Sequence, residues 1–85
     1  MVKMEIRDEL PENSVVFDNP SFDNSIIGYD SDGRVVYSFD DMVKELMDDE
    51  KMSELDAIEF IDYNTIGSLP NGGEFAPIVM YNLYI

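Results

Sequence analysis

The sequence predicts an α+β domain: a small antiparallel sheet, made of a central hairpin and a C-terminal strand, with a two-helix pair packed on one face. Three observations carry this expectation. Two β-branched runs, residues 25–29 and 34–38, bracket the turn Asp30-Ser31-Asp32-Gly33. Two helical segments then follow directly, about residues 40–50 and 53–66. A last β-type run at residues 75–81 ends the order. Strands and helices are grouped rather than strictly alternating, which separates α+β from a wound parallel sheet.

Taken in order, Val2, Met4 and Ile6 alternate with Lys3, Glu5 and Arg7, the period of a half-buried strand. Pro11, Glu12 and Asn13 form a turn, and residues 14–17 a short β-type run. Residues 18–24 are rich in Asp, Asn, Pro and Ser and read as a loop. In the hairpin, Gly33 supplies the left-handed conformation that a short loop with a bulge requires.

Ser38 or Asp40 caps the first helix. Met42, Val43, Leu46 and Met47 form its apolar stripe, while Asp41, Lys44, Glu45, Asp48 and Asp49 face away. Asp48, Asp49 and Glu50 stand at its C-terminal end, against the helix dipole.

Ser53 opens the second helix with Asp56 three residues on, a capping-box-like start. Gly67 and Pro70 predict its stop. Ala57, Ile58, Phe60, Ile61 and Thr65 share one arc, and Asp56, Glu59 and Asp62 the opposite one. Leu55, Tyr63 and Ile66 fall on or near the acidic arc. Packing within the chain accounts for all three. The alternative is that Tyr63 and Ile66 meet another chain. Residues 70–73 (PNGG) are a turn, and Pro77 belongs at the start or the edge of the last strand.

Charge is the main anomaly. The chain of 85 residues carries 19 acids against five Lys and Arg, a net charge of −14. A 45% hydrophobic content nonetheless predicts one folded domain over residues 1–85. Direct nucleic-acid binding and an anionic membrane surface both need basic residues and are not expected. Neither a signal peptide nor a membrane-crossing stretch is evident, so a cytoplasmic location is expected.

The catalytic vocabulary is sparse. There is no His and no Cys, which removes the commonest general base, the thiolate nucleophile and two major metal ligands. No nucleophile elbow, phosphate-cradling loop or dinucleotide fingerprint is present. Read as a calcium loop, Asp30-Ser31-Asp32-Gly33 puts Gly28 and Phe39 where carboxylates are required, so it reads as a turn. Neighbouring pairs such as Asp40–Asp41 and Asp48–Asp49 point to different sides of a helix. No catalytic, cofactor or metal residues are assigned.

Residues 39–65 hold ten acids and two bases, a net charge of −8. Spaced carboxylates on a helical surface steer a basic partner and imitate a row of phosphates. The expected function is a non-enzymatic interaction module for a basic protein, antitoxin-like or a nucleic-acid mimic. The acidic face assigned to it comprises Asp41, Glu45, Asp48, Asp49, Glu59, Asp62, Tyr63 and Ile66. A solubilising surface is the plainer account of the same charge. Two alternatives stand beside the module: a small Asp/Tyr-based or metal-dependent accessory enzyme, and a self-associating structural domain, such as a homodimer.

Residues 17–28 (FDNPSFDNSIIG), 32–37 (DGRVVY), 59–66 (EFIDYNTI) and 76–80 (APIVM) together resemble a family of small acidic hypothetical proteins of Gram-positive gut and oral bacteria. The resemblance spans residues 14–81. It implies a bacterial, cytoplasmic protein and brings no activity or site residues with it.

Overall fold

A computed structural model of the chain describes residues 6–12, 14–18, 20–67, 69 and 73–83. The fold is α+β, with a three-stranded sheet in the order β1-β2-β3 and two helices in mutual contact. Strands β1 (Ile26–Tyr29) and β2 (Val35–Ser38) form the expected antiparallel hairpin. Ile26 pairs with Tyr37, Gly28 with Val36 and Tyr29 with Val35, so a bulge falls at Ile27.

The turn explains why this hairpin is so plain in the sequence. Asp30 Oδ1 accepts the backbone N–H groups of Asp32 and Arg34, both at 2.9 Å. Gly33 donates to the Asp30 carbonyl at 3.0 Å and holds φ at 83°. One carboxylate therefore ties its own turn, and a glycine takes the conformation that a Cβ would penalise.

Strand β3 (Ile78–Met80) lies beside β2, as expected, but parallel to it: Val36 pairs with Ile78, Tyr37 with Val79 and Ser38 with Met80. The sheet is thus mixed rather than antiparallel throughout. The cause is the connection. The chain leaves β2 straight into the helices, which carry it back to the end where β2 began, the crossover that a parallel pair needs. Arg34 Nε donates to the Ala76 carbonyl at 2.9 Å and pins the start of β3 beside the start of β2. Pro77 sits just before β3, where its missing N–H costs no ladder bond.

Helix α1 (Phe39–Asp49) is capped by Ser38, whose Oγ accepts the Asp41 N–H at 3.3 Å. The same hydroxyl donates to Asn82 Oδ1 at 3.0 Å, joining the end of β2, the start of α1 and the segment after β3. Met42, Val43 and Leu46 are buried, while Met47 lies at the exposed margin of the stripe. At the C-terminal end, Lys51 takes a left-handed φ of 58° and Nζ donates to the Asp48 carbonyl at 3.1 Å. A cation thus meets the carbonyl end of the dipole that Asp48, Asp49 and Glu50 oppose.

Helix α2 (Glu54–Phe60) begins at Ser53, which accepts the Asp56 N–H at 3.1 Å. The sequence predicts one continuous α-helix to Ile66. The α-helix ends at Phe60 instead and continues as a π-turn over Ile61–Thr65. Ala57, Ile61 and Thr65 are buried, and Ile58 and Phe60 half-buried, so the expected inward arc is found.

The core joins Phe22, Ile26, Val35, Tyr37, Met42, Val43, Leu46, Ala57 and Ile61. Residues 14–17 contribute to it without joining the sheet. Val16 and Phe17 pack on the core, and Phe17 N–H donates to the Tyr37 hydroxyl at 3.1 Å. Of the predicted N-terminal strand, residues 1–5 lie outside the described residues. Ile6 belongs to a 3-10 turn, Ile6–Glu9, so the alternation does not continue as a strand among the described residues. In the 70–73 turn, residues 70–72 lie outside the described residues. Gly73 is left-handed at φ 78° and its carbonyl accepts the Ala76 N–H at 3.3 Å. Among the described residues no helix is long and apolar enough to cross a membrane.

Candidate partner-binding surface

The acids expected to form one face are divided between two patches. On α1, Asp41, Glu45, Asp48 and Asp49 surround a shallow cavity of about 290 Å³ together with Asn24 and Lys44. On α2 and the π-turn, Glu59, Asp62 and Tyr63 line an open surface groove of about 720 Å³ with Met52, Asp56, Phe60 and Asn64. The two linings share no residue. Each helix presents its own carboxylates over different ground.

Within the α1 patch, Asp41, Asp48 and Asp49 are exposed, but Glu45 is half-buried and engaged. Its Oε1 accepts the Asn24 N–H at 3.3 Å and its Oε2 accepts the Ser25 hydroxyl. Ser25 is fully buried, and it ends the 3-10 turn Asp23–Ser25 that leads into β1. Glu45 therefore fastens the loop before the hairpin to α1. The residue at the start of that turn, Phe22, is buried with φ at 53°, an uncommon conformation for a bulky side chain. The clamp on Asn24 and Ser25 and the Ser25 N–H bond to the Phe22 carbonyl at 2.9 Å fix the turn in which that conformation sits.

The α2 patch differs in composition. Tyr63 is 84% exposed and Leu55 is 65% exposed on the outward side of the helix. Met52 and Phe60 are half-buried and supply apolar ground to the groove. Asp56, Glu59 and Asp62, all exposed, also line it. Of the three residues that broke the clean split of the helix, only Ile66 packs on the core. Leu55 and Tyr63 face solvent, contrary to the reading that packing within the chain accounts for them.

Sequence reasoning passed over Met52, Asp56, Phe60 and Asn64 as members of this patch. Met52 lies in the inter-helix connection and Phe60 on the inward arc, so helical periodicity assigned neither to a surface. The signal that was present is the irregular amphipathicity of residues 55–66: large apolar side chains interleaved with acids. Among the described residues no three carboxylates are arranged to hold a metal ion. Asp30 uses Oδ1 on its own turn, as above. No protein-family model, curated protein or solved structure matches the chain.

Proposed function

We propose that this protein is a non-enzymatic interaction module that binds a basic protein partner through the acidic surface of its helices. The observation that carries the reading is the exposure of Asp41, Asp48 and Asp49 on α1 and of Asp56, Glu59 and Asp62 on α2 and the π-turn. Carboxylates left in water on regular helical spacing raise the association rate of a cationic partner and reject anionic ones. A net charge of −14 extends that field over the whole molecule. The corresponding biological role is that of an antitoxin-like regulator or a nucleic-acid mimic in the bacterial cytoplasm. The relation to small acidic proteins of Gram-positive bacteria belongs to the same proposal.

The test is capture from host lysate at low and at high salt, followed by affinity measurement on the protein retained. A basic protein held at low salt and released at high salt is the expected result. Charge reversal at Asp48→Lys plus Asp49→Lys should weaken that complex while leaving the fold intact, because both side chains are exposed. Glu45 is unsuitable for this purpose, since its carboxylate holds Asn24 and Ser25. Retention that is indifferent to salt and to both reversals overturns the reading.

A further inference from the structure

We infer that the groove between Met52, Phe60 and Tyr63 is the docking site for a basic amphipathic segment of the partner: a large apolar side chain flanked by Lys or Arg. The inference rests on the interaction-module reading and names the part of the surface that carries affinity. Its basis is a pairing of apolar ground with exposed carboxylates; the α1 patch has the carboxylates but no apolar lining residue. The groove offers apolar ground at Met52 and Phe60, and three exposed carboxylates, Asp56, Glu59 and Asp62, line it as well. An aliphatic or aromatic side chain gains from the first, and flanking cations gain from the second.

Tyr63 sharpens the match. It is a lining residue of the groove and is 84% exposed. A tyrosine presents a large amphipathic surface at low entropic cost and is a preferred anchor in interfaces. Its ring face also attracts a guanidinium or ammonium group. It lies inside the π-turn Ile61–Thr65, and such wide turns recur at functional sites because they re-aim side chains that an α-helix would place elsewhere.

Charge complementarity decides among occupants. A second copy of this chain meeting the groove about a two-fold axis would set Asp56, Glu59 and Asp62 against a patch of the same charge. Between molecules of net charge −14 that arrangement is repulsive. A nucleic acid or an anionic lipid surface is repelled by the same carboxylates. A small organic cation would satisfy the charges but would stay largely in water in an open groove, whereas ligand pockets bury most of their ligand. A basic segment of a protein satisfies both the apolar ground and the acids that line the groove.

The experiment is an NMR titration of the ¹⁵N-labelled 85-residue chain with a designed helical peptide of Leu and Lys, with its Leu and Glu counterpart as control. Expected are shifts concentrated on residues 52–64, no binding of the Leu/Glu peptide, and an affinity lowered about fivefold or more by Tyr63→Ala. The triple variant Asp56→Asn, Glu59→Gln, Asp62→Asn should weaken binding and flatten its salt dependence. All these side chains are exposed, and circular dichroism confirms that each variant is folded. Shifts confined to α1, with Tyr63→Ala without effect, overturn the groove and leave the acidic-surface reading standing. Equal binding of the Leu/Glu peptide at the groove overturns the basic occupant. Absence of binding anywhere overturns both.

Discussion

The two helices carry like charge on unlike foundations. Helix α1 buries Met42, Val43 and Leu46 and ties down a neighbouring loop through Glu45. Its outward acids stand on a surface that the fold needs for other reasons. Helix α2 has one fully buried residue within its α-helical turns, Ala57, and it exposes Leu55. The π-turn after it exposes Tyr63 as well. Glu45 on α1 is thus entangled with stability, while the exposed acids Asp56 and Glu59 on α2 are free to serve recognition. Net charge alone does not distinguish them; the distinction lies in what each carboxylate and its apolar neighbours touch.

The largest expected effect comes from a matched pair of substitutions. Leu46→Ala removes a side chain that is 2% exposed at the centre of the core. It should cost about 2–5 kcal/mol, a large part of the stability of so short a domain. Leu55→Ala removes the same atoms from a position 65% exposed and should change stability by no more than about 0.5 kcal/mol. Urea unfolding of both variants measures the contrast. Comparable losses at the two positions would mean that α2 is packed as deeply as α1, and the division of labour would fall.

The second pair tests the carboxylates themselves. Glu45→Ala leaves the buried Ser25 hydroxyl without its acceptor and releases the Asn24 N–H. A loss of about 1–2 kcal/mol is expected, towards the lower end for hydrogen bonds to a charged group because Glu45 is only half-buried. Glu59→Ala, at an exposed position, should be neutral within about 0.5 kcal/mol. It should nonetheless reduce affinity for the Leu/Lys peptide. A stability loss at Glu59 and none at Glu45 would reverse the comparison.

Much of this arrangement was legible beforehand, and the parts that were not share a cause. The Asp30–Gly33 turn and the Ser53 cap were read correctly because their hydrogen bonds close within four residues. The inward arc of Ala57, Ile61 and Thr65 follows from helical spacing alone. The direction of β3 depends on a helical crossover and on the Arg34 bond to Ala76, 42 residues apart. Glu45 was placed on the outward face because periodicity points it there; its partners lie 20 and 21 residues away. The π-turn has no signature in composition, so residues 61–65 read as a continuation of the α-helix although Tyr63 already stands out on its acidic arc. Local chemistry is written in neighbouring residues, whereas the direction of β3 and the role of Glu45 are set by distant ones.

The caps offer a finer comparison. Both helices begin at a serine that accepts the N–H three residues on. Ser53 is exposed and its hydroxyl makes this bond alone among those observed, so Ser53→Ala should cost about 1 kcal/mol. Ser38 is buried and also donates to Asn82. Its replacement by alanine should cost about 1 kcal/mol more, from the unpaired amide left at Asn82. The excess should vanish in the background of Asn82→Ala, a double-mutant cycle that isolates the side-chain bond. A cost at Ser38 equal to that at Ser53 would remove the junction between β2, α1 and the chain after β3 from the account of stability.

The smallest effect lies at the joint between the two helices. Lys51 holds φ at 58°, a conformation that costs a residue with a Cβ about 1–2 kcal/mol. Glycine relieves that cost but gives the unfolded chain more freedom, and it forfeits the lysine bond to the Asp48 carbonyl. Lys51→Gly alone therefore mixes three contributions of opposite sign. Comparing it with Lys51→Ala removes the last of them, since both variants lose the charge and the bond, and leaves the strain set against the freedom of the unfolded chain. Glycine should then be the more stable by about 0.5–1 kcal/mol, read from the urea midpoints of the two proteins. If alanine is equal or better, the chain between α1 and α2 relaxes away from the left-handed conformation at little cost. The groove floor at Met52, the next residue, would then be less firmly placed than the core beneath it.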